Sequence, residues 1–320
     1  MRARLIAGLR PTRFAVLATA IHVLLCTTAV AQFESPEFLA ECRAAEVGHA
    51  VSSPSGWIDY RAGSDAIILA APHGGRGRPR EYPVRGVNDG VLISDSNTDR
   101  LAIAIAEQLA ELRDSNPHLV ICNLHRRYLD ANRPEDAACA SDSPARTDWH
   151  CYQHAIQAAK ERILRSPGRG LFIEVHGHGH AIPRLELGYL LRARDFDLRD
   201  EAFEAAADRS SIREIIAHGQ LSGNDLLRGS RSLGAYLEQQ ELDSVPSQAV
   251  PSPGEADYFN GGWNTRLHGS RDGGVISSIQ IEFHKPGIRD SNEAIDRTAR
   301  RVAAALNRFL EQHYPRRTDD

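Results

Sequence analysis

Residues 171–180 read LFIEVHGHGH: an apolar run enters the segment and three alternating histidines leave it. A short apolar run bounded by glycines reads as a buried strand. In a strand Glu174 and His176 share one face, because side chains alternate. The histidines then sit at the strand's carboxyl end, where open α/β sheets gather their ligands. Alone, the segment reads equally well as a glycine- and histidine-rich turn with solvated imidazoles, so the neighbouring segments have to decide.

Three of them repeat the pattern of an apolar run followed by polar groups. Residues 66–71 (AIILAA) run into Pro72-His73-Gly74-Gly75, residues 118–124 lead to Arg126, Asn132 and Arg133, and residues 275–283 (VISSIQIEF) carry Glu282 among apolar neighbours. A further strand is expected over residues 185–191. Leu101, Ile105, Leu109 and Leu112 recur at helical spacing, with Ser96 and Asp99 as a capping box. Helices are also expected over residues 148–165, over most of 200–241 with a break near Gly219 to Gly229, and at the C-terminus, where Ile295, Ala299, Val302, Leu306 and Leu310 form a stripe. Residues 33–61 have weak periodicity and read as a segment lying over the domain. Residues 244–257, rich in Pro and Ser, read as a long surface loop. Strands alternating with helices predict an α/β sandwich around a mixed, largely parallel sheet.

The chain has 320 residues, 25% charged and 42% hydrophobic, the composition of a globular protein with a sizeable core. Its first residues differ from the rest. Arg2, Arg4, Arg10 and Arg13 accompany an uncharged run at 14–30, and Ala29-Val30-Ala31 supplies an A-x-A cleavage motif. Residues 1–31 therefore read as a secretory signal peptide, leaving residues 32–320 as a single catalytic domain, secreted or periplasmic, with no stable membrane anchor. Leu25 before Cys26 disfavours lipidation. Loss of residues 1–31 removes four arginines and no acids, so a formal charge of -4 becomes -8. An acidic protein of this kind offers no nucleic-acid footprint. Cys42, Cys122, Cys139 and Cys151 remain, an even number in an exported chain, which makes disulfides the expectation: Cys139 with Cys151 across a Pro- and Asp-containing loop, and Cys42 with Cys122 by default. Buried free thiols are the other reading.

The polar strand ends suggest a chemistry. Two imidazoles and one carboxylate form a ligand set of catalytic zinc that leaves a position for water. Glu282, on a strand among apolar residues, is suited to act as the general base toward that water. Alternatively it is a buried carboxylate paired with an arginine.

APHGG at 71–75, SDSNTDRLA at 94–102, HRRYLDANRP at 125–134, FIEVHG at 172–177, FNGGWNTRLHG at 259–269 and IQIEF at 279–283 together resemble the N-formylglutamate amidohydrolase family, itself similar to the zinc carboxypeptidases. The resemblance spans most of the chain after residue 31. It implies a phosphorylase/hydrolase-like three-layer α/β sandwich and metal-dependent hydrolysis of an amide bond with one Zn2+ ion. Carried over, His73 and His176 are metal ligands, Glu282 the general base and Arg126 the group that polarises the scissile carbonyl. Asn132, Arg133 and Arg266 then bind a substrate carboxylate. His73 lacks the H-x-x-E partner of the carboxypeptidases, so Asp95 is expected as the third ligand, with Glu81 the alternate. His178 either contacts substrate or lines the mouth, as His180 does. Glu174 orients a ligand, Asp130 braces the arginines, and His125 and Arg127 are structural or solvated. The export signal favours a small carboxylate-bearing N-acyl amino acid or peptide, or a cell-wall fragment, over formylglutamate itself. A carboxypeptidase-like peptidase and a non-catalytic binding protein for acidic ligands are the alternatives.

Overall fold

A computed structural model describes residues 35–86, 90–219 and 221–315. The signal peptide, its cleavage motif and Cys26 lie outside them. The stretch expected to lie over the domain instead builds the edge of its sheet. Pro36–Ala44 is a helix (α1), after which Ala50–Ser52 (β1) and Ile58–Arg61 (β2) pair antiparallel. Strand β2 pairs in turn with His118–Cys122 (β4), so both strands extend a sheet founded on Ile67–Ala71 (β3). Gly170–His178 (β5), Leu185–Gly188 (β6), Ser244–Val245 (β7) and Ile276–His284 (β8) complete it in the order β1-β2-β4-β3-β5-β8-β6-β7. The four central strands are parallel, and β6 and β2 flank them antiparallel.

Alternation along the central strands divides the core. Ile67, Leu69 and Ala71 face one side with Leu119, Ile121, Leu171 and Ile173, while Ile68 and Ala70 face the other with Val120 and Phe172. The first side is covered by Thr98–Arg113 (α2) and Asn292–His313 (α4), which also pack against each other. The second is covered by α1 and Ala145–Arg165 (α3). Helices on both faces of the mostly parallel sheet make the three-layer α/β sandwich. The predicted C-terminal stripe, Ile295 to Leu310, is buried throughout, and Ser291 caps that helix by accepting from Ala294 N–H at 3.1 Å.

Two local expectations fail. The Ser96 and Asp99 capping box does not form: α2 starts after Asn97, held at φ 68° without a side-chain cap. Tertiary ties take the segment instead, since Arg289 donates to the Ser96 carbonyl (2.6 Å) and the Asn97 amide donates to the Arg289 carbonyl (2.7 Å). The disulfides are also absent. Cys42, Cys122, Cys139 and Cys151 are free thiols buried in the α1/α3 side of the core. Burial pushes Cys42 and Cys139 up to about 12 and Cys151 up to about 11, so they behave as small apolar side chains.

The topology places a crevice. From β3 the chain passes through α2 to β4 on one side, then through α3 to β5 on the other, so the direction of winding reverses at β3. At such a reversal the loops leaving adjacent carboxyl ends part and leave room for a ligand.

Candidate metal centre and active site

His73 lies just beyond β3 and His176 near the end of β5, at that switch point, and their rings meet edge to face with centroids 4.8 Å apart. Asp95 comes from the loop before α2. His73 Nδ1 and His176 Nδ1 are 3.2 Å apart, and Asp95 Oδ2 is 3.4 Å from the first and 3.2 Å from the second. Atoms bound at about 2.0–2.1 Å to a tetrahedral zinc stand roughly 3.3 Å from one another. All three side chains are buried.

The outward-facing ring nitrogens meet carboxylates. His73 Nε2 is 2.7 Å from Asp130 Oδ1, and His176 Nε2 is 3.0 Å from Glu174 Oε2. Asp130 draws the His73 ring proton outward and Glu174 lies beside the outer nitrogen of His176, while the two Nδ1 atoms and Asp95 Oδ2 gather in one space. Such a donor set attracts positive charge. Burial alone would lower His176, yet the Glu174, Asp95 and Glu282 carboxylates override it and push it up to about 10. Burial would likewise raise Asp95, but His176 and His73 hold it well below the usual carboxylate range. A proton on His176 or a cation in its place satisfies the cluster, so these residues fit a divalent metal.

The sheet register adds the next group. His176 on β5 stands opposite Glu282 on β8, and Glu282 stands opposite Glu186 on β6. Glu282 Oε1 accepts from Gln280 at 2.8 Å, whereas its buried Oε2 has no hydrogen-bond partner among the described residues. Desolvation, with Asp95 and Glu186 nearby, pushes Glu282 up to about 8.

These residues line a cavity of about 640 Å³, together with Arg126, Asn132, Arg133, His178 and His180. Asp130, wholly buried, holds one wall of it. Its Oδ2 accepts from Arg126 Nε (3.0 Å) and Arg133 Nε (3.2 Å), while Oδ1 takes His73 and the Asn132 N–H. Arg126 also lies 3.5 Å from Asp95 Oδ1. Asn132 is occupied within the protein, its Oδ1 accepting from Asn264 N–H (2.8 Å) and its Nδ2 lying 3.2 Å from His176 Nε2. Gly262 has to be glycine at this point, since a Cβ there would overlap the Asn132 amide.

Arg266 and Glu81 stand elsewhere. Arg266 lines an adjoining cavity, with 62% of its side chain exposed, and Glu81 is exposed away from the histidines. His178 is tied to the Arg184 carbonyl at 2.7 Å. His180 pairs with Glu186 (2.9 Å) and stacks on Phe259, and the other Glu186 oxygen accepts from Phe259 N–H, which fastens the 259–262 loop to the rim. The His125 Nδ1 accepts from the Arg127 N–H (3.2 Å) outside this cavity.

Several contributors escaped sequence reasoning. Arg85 reaches Asp130 at 3.5 Å from a loop without any motif. Asn264 donates to Glu174 Oε1 at 2.6 Å from within the GGWNTR run, where its polar side chain beside two glycines was the available signal.

No protein-family model matches the sequence, and no curated protein matches it. Among solved structures, the chain is similar to an N-formylglutamate amidohydrolase from Ralstonia eutropha JMP134, with 14% identity, a TM-score of 0.50 and coverage of 80% of this chain and 98% of that one. It is also similar to a gene product from Agrobacterium tumefaciens, with 15% identity, a TM-score of 0.44 and coverage of 80% and 95%. The first likeness shows a shared fold.

Proposed function

We propose that this protein is an exported, zinc-dependent amidohydrolase that cleaves the amide bond of a carboxylate-bearing N-acyl amino acid or small peptide. One observation carries the reading: two imidazole nitrogens and a carboxylate oxygen converge within 3.4 Å, beside a second buried carboxylate that keeps an unpartnered oxygen. His73, Asp95 and His176 would hold the ion, whose chemistry is to acidify a water and polarise a carbonyl.

The chain's own residues supply the remaining steps. Glu282 accepts the proton of the attacking water through Oε2 and returns it to the leaving amine, which prevents expulsion of an amide anion. Arg126, fixed by Asp130, presents its guanidinium to the oxygen that gains charge as the carbonyl becomes tetrahedral. Arg133, with 38% of its side chain exposed at the mouth, is placed to receive a substrate carboxylate. Residues 1–31, read as a signal peptide, support the export part of the proposal.

Metal analysis of the purified protein and its variants, together with hydrolysis of a panel of N-acyl amino acids, tests the reading. About one zinc per chain is expected, lost in His73→Ala, Asp95→Ala and His176→Ala. Glu282→Gln should keep the metal and lose turnover. A protein that takes up no metal under any loading condition would sink the proposal.

A further inference from the structure

Behind the wall formed by Gly261, Gly262 and Trp263 lies the second cavity, of about 460 Å³, and those three residues line both cavities. Its charge is one-sided. Arg192, Arg194, Arg209, Arg266 and Arg271 line it against a single carboxylate, Asp195. These arginines come from separate stretches of a chain whose net charge is -4, so folding has gathered like charges against the average composition. Arg209 and Arg271 are held by partners that do not neutralise them. Arg271 donates to the Leu190 carbonyl (3.1 Å) and Arg209 to the Ala205 carbonyl (2.7 Å), both neutral acceptors. Asp195 is engaged by the Arg192 backbone N–H at 2.7 Å, and the Arg266–Asp272 pair at 3.2 Å is open to solvent and weak. Like charges gathered in excess of their counter-charge repel one another, and a ligand bearing several anionic groups relieves that repulsion.

We infer that this cavity is an anion subsite that holds the acidic extension of a longer substrate, an oligocarboxylate peptide whose scissile amide lies in the first cavity. The shared wall gives the path. Gly261, Gly262 and Trp263 line both cavities, so an extended chain leaving the first enters the second past these three residues. Guanidinium forks match carboxylates in pairs, and several such contacts along one chain reinforce each other. Placement of the scissile bond rests on the proposed hydrolase reading, whereas anion capture does not.

The test is calorimetric titration of the metal-loaded full chain with glutamate, triglutamate and inorganic phosphate, in wild type and in Arg194→Ala and Arg194→Ala/Arg271→Ala. Triglutamate should bind at least about tenfold more tightly than glutamate, and that ratio should collapse in the double variant with its circular dichroism unchanged. The single variant alters only an exposed side chain and should show an intermediate ratio. Wild-type affinity for triglutamate should also fall steeply between about 50 and about 300 mM salt, as the Debye length contracts. Equal affinities for glutamate and triglutamate, or salt-independent binding, would overturn the subsite, as would phosphate binding more tightly than triglutamate at the same arginines. Tight triglutamate binding without hydrolysis of any N-acylated glutamate chain would support the subsite and remove the hydrolase reading alone.

Discussion

Asp130 serves a histidine and two arginines with one carboxylate: Oδ1 faces His73 Nε2 at 2.7 Å, and Oδ2 receives Arg126 and Arg133. Asp130→Asn keeps the shape and removes the charge. Metal affinity, measured by competition with a chelator, should drop about 10–100-fold, because the ring loses the partner that directs its proton outward. Glu282 makes a different prediction. Its active form is the carboxylate, and burial with nearby Asp95 and Glu186 pushes it up to about 8, so kcat/KM should rise with pH through its pKa. A bound cation pulls that limb to lower pH, and the limb should vanish along with most of the rate in Glu282→Gln. The role of Asp130 as a brace for arginines was legible in DANRP, where the charges are neighbours. Its hold on His73, 57 residues away, was invisible because no local pattern encodes that distance.

Strands β1 and β2 are short and only partly buried, so they lack the apolar run that made the five- and nine-residue strands legible. Their place depends on partners. His118 at the start of β4 accepts from Gly63 N–H (3.0 Å) and lies 3.0 Å from the Tyr60 hydroxyl of β2. Burial, aided by Arg162, lowers it from 6.5 to about 3. The unfolded chain therefore takes the proton first as pH falls. The contribution of neutral His118 is complete above about 6.5 and erodes down to about 3, by at most about 1.4 kcal/mol per pH unit. Denaturation midpoints should fall across that window, and His118→Gln should flatten the dependence.

At the scale of the molecule, four chain segments deliver His73, Asp95, His176 and Glu282 to one crevice, so occupancy of that crevice should be felt by the whole fold. A ligand present at about a thousand times its Kd stabilises by about 4 kcal/mol. Chelation should accordingly lower the melting temperature of the wild type and leave that of Asp95→Ala unmoved. Sequence alone determined the α/β class, since the periodicity of a strand or helix is set by residues adjacent in the chain, and it marked His73, His176 and Glu282 as polar groups at strand ends. Only tertiary structure decided that Asp95, and not Glu81, stands between the histidines, that Arg266 belongs to a neighbouring cavity, and that four cysteines are buried free thiols. Those outcomes depend on distances between residues far apart in the chain, which are set by strand register and by how the layers pack.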